Sequence, residues 1–401
     1  MRRKNSHVIV MLIILILIVV GVITIIRINN KGNNKKVTIS EEEIKYYILV
    51  KEQKCGVIDK NGTIVIEPKY SNVIIPNPTM DVFIVTDDNS KYEAINAKGE
   101  KILDNYDNVN AIELKMLSSL IPYEKNVLIY QKNNYYGLVT IKGEKITDAK
   151  FEEISAVPYK EGYLKVKENG KNGVIDTNGK RIIKSDYEDI SSDNYYSEKK
   201  QYDASGFILS TKTDDGYRYG YANSDGKILV ECIYNEITRI NNDNENEIYL
   251  IVSTNGKYGL IKNNKIILEN KFDQIEYDEN NNILLVERNN KYGVYSLDGN
   301  QILNTEYDSI AFGGNYINAT KNDEKKVFDV NGKEVNTNFS SKVLANNDYS
   351  IIIDENNLYN IVSNKNDQNK LLKNSYYYVD YYTNNLFIAT NEQNKVRSNW
   401  C

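Results

Sequence analysis

Lys291-Tyr292-Gly293-Val294-Tyr295-Ser296-Leu297-Asp298-Gly299-Asn300-Gln301-Ile302-Leu303-Asn304-Thr305-Glu306-Tyr307-Asp308-Ser309-Ile310 holds the pattern that organises this chain. Two glycines stand six residues apart, and an aromatic residue follows eight residues after the second. The apolar run Ile283-Leu284-Leu285-Val286-Glu287 lies just upstream, across the turn signal Asn289-Asn290. Short runs of β-branched and aromatic residues, separated by Asn, Gly and Asp, read as antiparallel strands joined by tight turns. The spacing predicts strands at 283–287, 291–296 and 301–304, with a short fourth one through Tyr307 to Ile310.

The same frame recurs along the chain. Its first glycine stands at Gly56, Gly137, Gly173, Gly220 and Gly293, and its second at Gly62, Gly143, Gly179, Gly226 and Gly299. The aromatic residues are Tyr70, Phe151, Tyr187, Tyr234 and Tyr307. Degenerate copies fill the gaps: Lys91-Tyr92-Glu93-Ala94 with Gly99 and Tyr106, Lys257-Tyr258-Gly259 with Phe272, and Lys325-Lys326-Val327 with Gly332 and Phe339. Successive copies lie 33 to 47 residues apart. A unit of that size cannot bury its own apolar face, so neighbouring copies must pack on each other.

Each glycine has a physical role in this frame. Asp59-Lys60-Asn61-Gly62, Asp176-Thr177-Asn178-Gly179 and Asp329-Val330-Asn331-Gly332 share a hairpin signature. The Asp starts a type I turn and the Gly supplies the positive φ that closes it. Asp-x-Asn-Gly also resembles part of a calcium loop, but no copy carries the further oxygen ligands and the closing Glu such a loop needs. The first glycine falls inside a strand, where it marks close approach of another backbone or ring. Tyr136, Tyr219, Tyr258 and Tyr292 beside it are expected to pack between repeats.

At these residues the chain resembles the bacterial WG-repeat family, whose hallmark is Lys-Trp-Gly, an apolar pair, an Asp-x-x-Gly hairpin, an aliphatic strand and an aromatic-acidic-x-Ile segment. Lys257-Tyr258-Gly259-Leu260-Ile261 and Lys291-Tyr292-Gly293-Val294 match with Tyr in place of Trp. Phe151-Glu152-Glu153-Ile154, Tyr187-Glu188-Asp189-Ile190 and Phe272-Asp273-Gln274-Ile275 match the closing segment. The resemblance covers about residues 44 to 345, with a frayed ninth copy around Leu358-Tyr359-Asn360-Ile361. It implies a repeat scaffold and carries over no catalytic residues.

The expected fold is an all-β repeat domain over 44–401, with a degenerate last copy from about 347. A β-propeller of about eight four-stranded blades answers the edge-strand problem by radial repetition. An open β-array or solenoid is the alternative. Closure would need a strand from one terminus to complete the other end, for which Val37 to Val50 and Asn385 to Thr390 are candidates.

Upstream, Val8 to Ile26 runs without a charge, and Arg2, Arg3 and Lys4 precede it. As a helix this run would be roughly 28 Å long, about the hydrocarbon thickness of a bilayer. No small-x-small cleavage site follows it. The reading is a short basic cytoplasmic tail (1–7), a single-pass signal anchor (8–26), a linker (27–43) and repeats outside the membrane. From Val37 onward there are 43 basic and 55 acidic residues, a net charge of −12. That balance argues against a nucleic-acid partner, which needs clustered Lys and Arg. Cys55, Cys232 and Cys401 are too few and too far apart for a disulfide framework or zinc site.

His7, at the edge of the apolar run, is the only histidine. Histidine-dependent triads therefore have no base in the repeats, and no P-loop or dinucleotide fingerprint occurs. No cofactor, metal site or catalytic residue is expected. A carboxylate-pair glycosidase needs no histidine, but acids such as Asp186, Glu188 and Asp189 recur in the frame and read as solvated strand faces. The irregular parts carry more information, because insertions in repeat arrays mark loops that often serve binding. The longest, Ser191 to Ser205, holds Tyr195, Tyr196, Lys199, Lys200 and Tyr202, the candidate partner-binding loop; Asn110 to Lys125 and Asn241 to Asn246 are others. The function expected is a membrane-anchored binding scaffold for a protein or cell-envelope partner. The alternative is a glycan-binding or glycan-cleaving envelope protein.

Overall fold

The computed structural model describes residues 44–87, 91–115, 122–193, 205–240, 247–335 and 338–391. The apolar run at 8–26, its flanks, and the loop residues Tyr195, Tyr196, Lys199, Lys200 and Tyr202 lie outside the described residues. Among the described residues no helix is long and apolar enough to cross a membrane.

All regular structure among these residues is β. The strands form ten small antiparallel sheets in chain order. The first comprises β1 (Tyr46–Lys51), β2 (Lys54–Asp59) and β3 (Ile64–Tyr70). The seventh is the regular case, with strands Gln274–Asp278, Ile283–Arg288, Lys291–Ser296 and Gln301–Tyr307 side by side in that order. The first, third and eighth sheets have three strands, and the tenth has only the hairpin Tyr378–Thr383 with Leu386–Thr390.

The frame read from sequence is shifted by one strand. Tyr307 ends the last strand of the seventh sheet, and Ile310 lies in Ser309–Gly313, the first strand of the eighth. The aromatic-acidic-x-Ile segment is thus the junction between two sheets, not the fourth strand of one. A single strand's side-chain pattern shows which residues face a core, but not which neighbour supplies its hydrogen bonds.

Each sheet is apolar on both faces and packs on the next. In Ile283–Arg288, Leu284 and Val286 meet Leu260, Leu268 and Phe272 of the sixth sheet. Ile283 turns the other way, to Ile317 and Phe328 of the eighth. Alternation of side chains along a strand gives both contacts from one run. The cores therefore sit between sheets, each shared by two consecutive repeats.

The ten sheets do not close into a ring among the described residues. The described parts of the candidate closing strands pair locally, β1 with β2 and Leu386–Thr390 with Tyr378–Thr383; residues 37–43 lie outside the described residues. Ten sheets stand where the sequence predicts about eight blades; the two beyond the eight frames are the ninth, which carries Asn360 at the glycine position, and the two-stranded tenth.

The first glycine meets a bulge. Tyr292 pairs with Tyr307 and Val294 with Leu303, so three residues of the last strand lie opposite Gly293 alone. A Cβ on Gly293 would lie 2.6 Å from Thr305 Oγ1 and 2.8 Å from Thr305 Cα. The same register shift occurs opposite Gly56, Gly173, Gly220 and Gly259. Tyr136, Tyr219, Tyr258 and Tyr292 are half-buried beside it.

Ion pairs fasten one edge of the stack. Lys257, at the start of a sixth-sheet strand, bonds the carboxylate of Asp273, the one-residue link to the seventh sheet. The other oxygen of Asp273 accepts the Asn289 backbone N–H at 2.7 Å, in the seventh sheet's hairpin turn. Lys291, Asp308 and Asn322 repeat the arrangement one sheet later. Lys171 pairs with Glu188 at 2.5 Å. Glu188 is therefore a junction residue in an ion pair, not a free acid on a strand face. Cys55 and Cys232 are unpaired half-buried thiols, less enclosed than a core cysteine.

Candidate functional site

The three insertions occupy one kind of connection. They join the first and second strands of the third, fifth and sixth sheets. Antiparallel connectivity puts that connection at the same end of a sheet as the Asp-x-x-Gly turn, and opposite the Lys–Asp junctions. Regularly stacked sheets then carry their insertions along one rim.

The longest insertion rises from a buried polar cluster. Asp193 and Ser205 are the last and first described residues on either side of it. Asp193 is 1% exposed, Tyr221 0% and Arg239 8%. Asp193 Oδ1 accepts the Gly206 backbone N–H at 2.8 Å, and its Oδ2 accepts the Tyr221 hydroxyl and the Ser205 hydroxyl. Arg239 reaches in from Glu236–Ile240, the first strand of the sixth sheet. Its Nη1 donates to Ser205 Oγ at 2.6 Å, to the Tyr221 hydroxyl oxygen at 3.1 Å and to Asp193 Oδ2 at 3.4 Å. Its Nε donates to the Ile240 carbonyl at 3.3 Å.

A buried charge is tolerated only when paired and hydrogen-bonded. Here one carboxylate and one guanidinium lock both feet of the insertion to two successive sheets. Burial, with the Asp193 carboxylate beside it, pushes the Tyr221 phenol well above its usual range. The group therefore stays protonated and keeps donating. The cluster is a clamp: its donors and acceptors serve one another.

Sequence reading placed the insertion but missed the clamp. Asp193, Tyr221 and Arg239 lie 46 residues apart at the extremes, and nothing in their local pattern joins them. Arg239 offered a signal, a charged residue between Ile237 and Ile240 at the end of an apolar strand. A concavity of about 510 Å³ opens among the first three sheets and is lined in part by Lys45, Met80, Leu103, Ile141 and Lys142. Among the described residues no group of His, Cys, Asp and Glu is placed to hold a metal ion.

The repeat geometry agrees with a family comparison. The WG containing repeat matches residues 56–75, 136–171, 219–258 and 262–292. The chain is a WG-repeat protein. The four matches fall on the glycine strands, their hairpins and the sheet junctions described above. No curated protein matches this WG-repeat chain.

Solved structures give distant likenesses. A eukaryotic initiation factor aligns with 73% of the WG-repeat chain and 95% of its own, at 10% identity and a TM-score of 0.29. Hsv2p of Kluyveromyces lactis aligns with 63% of this chain and 92% of its own, at 10% identity and a TM-score of 0.23. Dihydro-heme d1 dehydrogenase NirN aligns with 77% and 75%, at 10% identity and a TM-score of 0.24. Scores this low transfer neither ring closure nor any ligand to the WG-repeat protein.

Two of the three acids weighed for carboxylate chemistry stand in ion pairs. Glu188 is paired with Lys171 at 2.5 Å and Asp189 with Lys165 at 3.0 Å.

Proposed function

We propose that this WG-repeat protein is a membrane-anchored interaction scaffold. Its N-terminus lies in the cytoplasm, residues 8–26 cross the membrane, and the stacked sheets display insertions to a protein or cell-envelope partner outside. The observation that carries the reading is the Asp193–Arg239 clamp. A buried ion pair costs desolvation that well-packed apolar residues would not. Its placement at both feet of one insertion supports a role in presenting that insertion from a fixed base. Repeat scaffolds use their inserted loops in this way. The anchor is supported by the uncharged run from Val8 to Ile26.

The test has two parts. Protease added to intact cells should remove the repeats and leave a small N-terminal fragment in the membrane. Protection until the membrane is opened would reverse the topology. Crosslinking on intact cells, followed by mass spectrometry, should then yield a partner whose crosslinks fall when Tyr195 and Tyr202 are substituted. The glycan reading draws less support, because Glu188 and Asp189 are held by lysines; a glycan pull-down with residues 37–401 would revive it.

A further inference from the structure

One backbone bond recurs in every sheet after the first. The residue following the junction aromatic, or its equivalent, donates its N–H to a carbonyl of the second strand. The acceptors are Thr86, Gln131, Lys167, Ser210, Ser253, Glu287, Thr320, Ile353 and Thr390, in the second to tenth sheets in turn. This bond opens the pairing of the first strand with the second.

The first sheet lacks that first strand among the described residues. Its β1 is the counterpart of Ile283–Arg288. Lys51 pairs with Lys54 as Arg288 pairs with Lys291, each across a two-residue turn. Both turn residues have positive φ, at Glu52 and Gln53 and at Asn289 and Asn290. In such a hairpin the flanking pair exchanges both hydrogen bonds, and alternate residues point their backbone groups outward. Ile48 and Val50 are therefore the outward residues of β1. Tyr46, of the same parity, already donates outward, to the Pro78 carbonyl at 3.3 Å. Among the described residues no backbone partner meets Ile48 or Val50 on that edge.

The side chains on this edge depart from the repeat. The position of Val50 is polar in the next seven sheets, as Thr86, Gln131, Lys167, Ser210, Ser253, Glu287 and Thr320. Val50 is 65% exposed and Ile48 is 48% exposed. Natural proteins blunt free edges with charge, proline or cover. Here the edge at Ile48 and Val50 is free of proline and apolar, and the exposed Lys51 flanks it.

We propose that the outer edge of β1 is a strand-addition site for an extended segment of a protein partner. The segment lies antiparallel to β1, as the first strand does in the later sheets. Two of its apolar side chains, two residues apart, stand opposite Ile48 and Val50. An acidic residue at its end faces Lys51, while the Pro78 carbonyl, which accepts the Lys45 and Tyr46 amides, bounds the segment at the other end. Main-chain bonds supply affinity in this mode of recognition and alternate side chains supply specificity. The inference rests on the interaction-scaffold reading and names the partner's chemistry.

The probe is a capped peptide of alternating valine and threonine between terminal glutamates, added to the full-length chain in detergent. Residue-resolved hydrogen exchange should show the Ile48 and Val50 amides exchanging freely without peptide. With peptide in excess they should slow by about tenfold or more. A peptide with proline at its centre should have no effect. Val50→Pro removes an outward N–H that a free edge does not use, so it should keep the fold by circular dichroism and lose the peptide response. If the two amides are already protected in the chain alone, its own residues before 44 cover the edge and the proposal fails. Absence of slowing, or equal slowing in Val50→Pro, also overturns it. If the cellular crosslinks persist in Val50→Pro while the peptide fails, the strand-addition site is wrong and the scaffold reading stands.

Discussion

Gly299, in the turn of the seventh sheet, lies against Ile267 of the sixth. A Cβ there would stand 2.9 Å from Ile267 Cγ2 and 3.1 Å from the Ile267 carbonyl oxygen. The turn glycine thus does two things at once. It takes a φ of +84° to close its own hairpin, and it lets that hairpin sit on the previous repeat.

Gly62 separates these two roles. It has a φ of +81°, and nothing among the described residues lies within 4 Å of where its Cβ would be. Gly62→Ala should therefore cost about 1 kcal/mol, the backbone term alone. Gly299→Ala should cost about 1–3 kcal/mol more, because it also overpacks a sheet interface. Urea denaturation of the two variants side by side checks the ordering. Equal losses would mean that the contact with Ile267 relaxes freely.

Breaking the clamp should be expensive and emptying it less so. Asp193→Asn or Arg239→Met leaves its partner charged and buried, and each should destabilise by about 3–5 kcal/mol. The double variant should lose markedly less than the sum of the two. Deleting 194–202 keeps both feet and should leave the melting transition nearly unchanged, since loop length costs little. A collapse of the fold on that deletion, with Gly299→Ala silent, would reverse the roles assigned to insertion and turn.

Acid should loosen the junctions in a defined window. The Lys257 ammonium, then the Asn289 N–H, hold the Asp273 carboxyl below its ordinary value; Lys291 and Asn322 do the same for Asp308. A carboxylate with a lowered folded pKa contributes stability that is complete above its unfolded value, about 4. That contribution fades as pH falls through the lower folded value. Wild type should thus exceed Asp273→Asn in urea midpoint at pH 7. The gap should persist to about pH 4 and narrow below it. A gap that widens on acidification would contradict the assignment.

Far-UV circular dichroism of residues 44–391 should be that of a β protein. A helical fraction above about a third, the globular average, would be incompatible with ten antiparallel sheets.

Much of this fold is written in short-range pattern. Gly299 and Gly293 could be assigned roles from position alone, because a positive φ and an absent Cβ are demands of a local turn or a crowded strand. The ion pairs of Asp273 and Asp308 were hidden for the opposite reason. A Lys and an acid 16 or 17 residues apart look like two solvated charges until the junction folds them together. The clamp was hidden more deeply, since Asp193, Tyr221 and Arg239 come from two sheets, and Tyr221 stands where the other copies carry Val or Leu after the first glycine.

The sequence alone determined the strands, the hairpin turns and the need for repeats to stack, because each follows from side-chain alternation and from what glycine permits over a few residues. Tertiary structure alone decided where one sheet stops and the next begins, that the inner sheets are buried on both faces, and that the ends do not meet among the described residues. Those outcomes depend on which strand edge takes which partner. Backbone N–H and C=O groups are alike at every residue, so edge pairing is settled by packing between sheets and not by the residues that carry the groups.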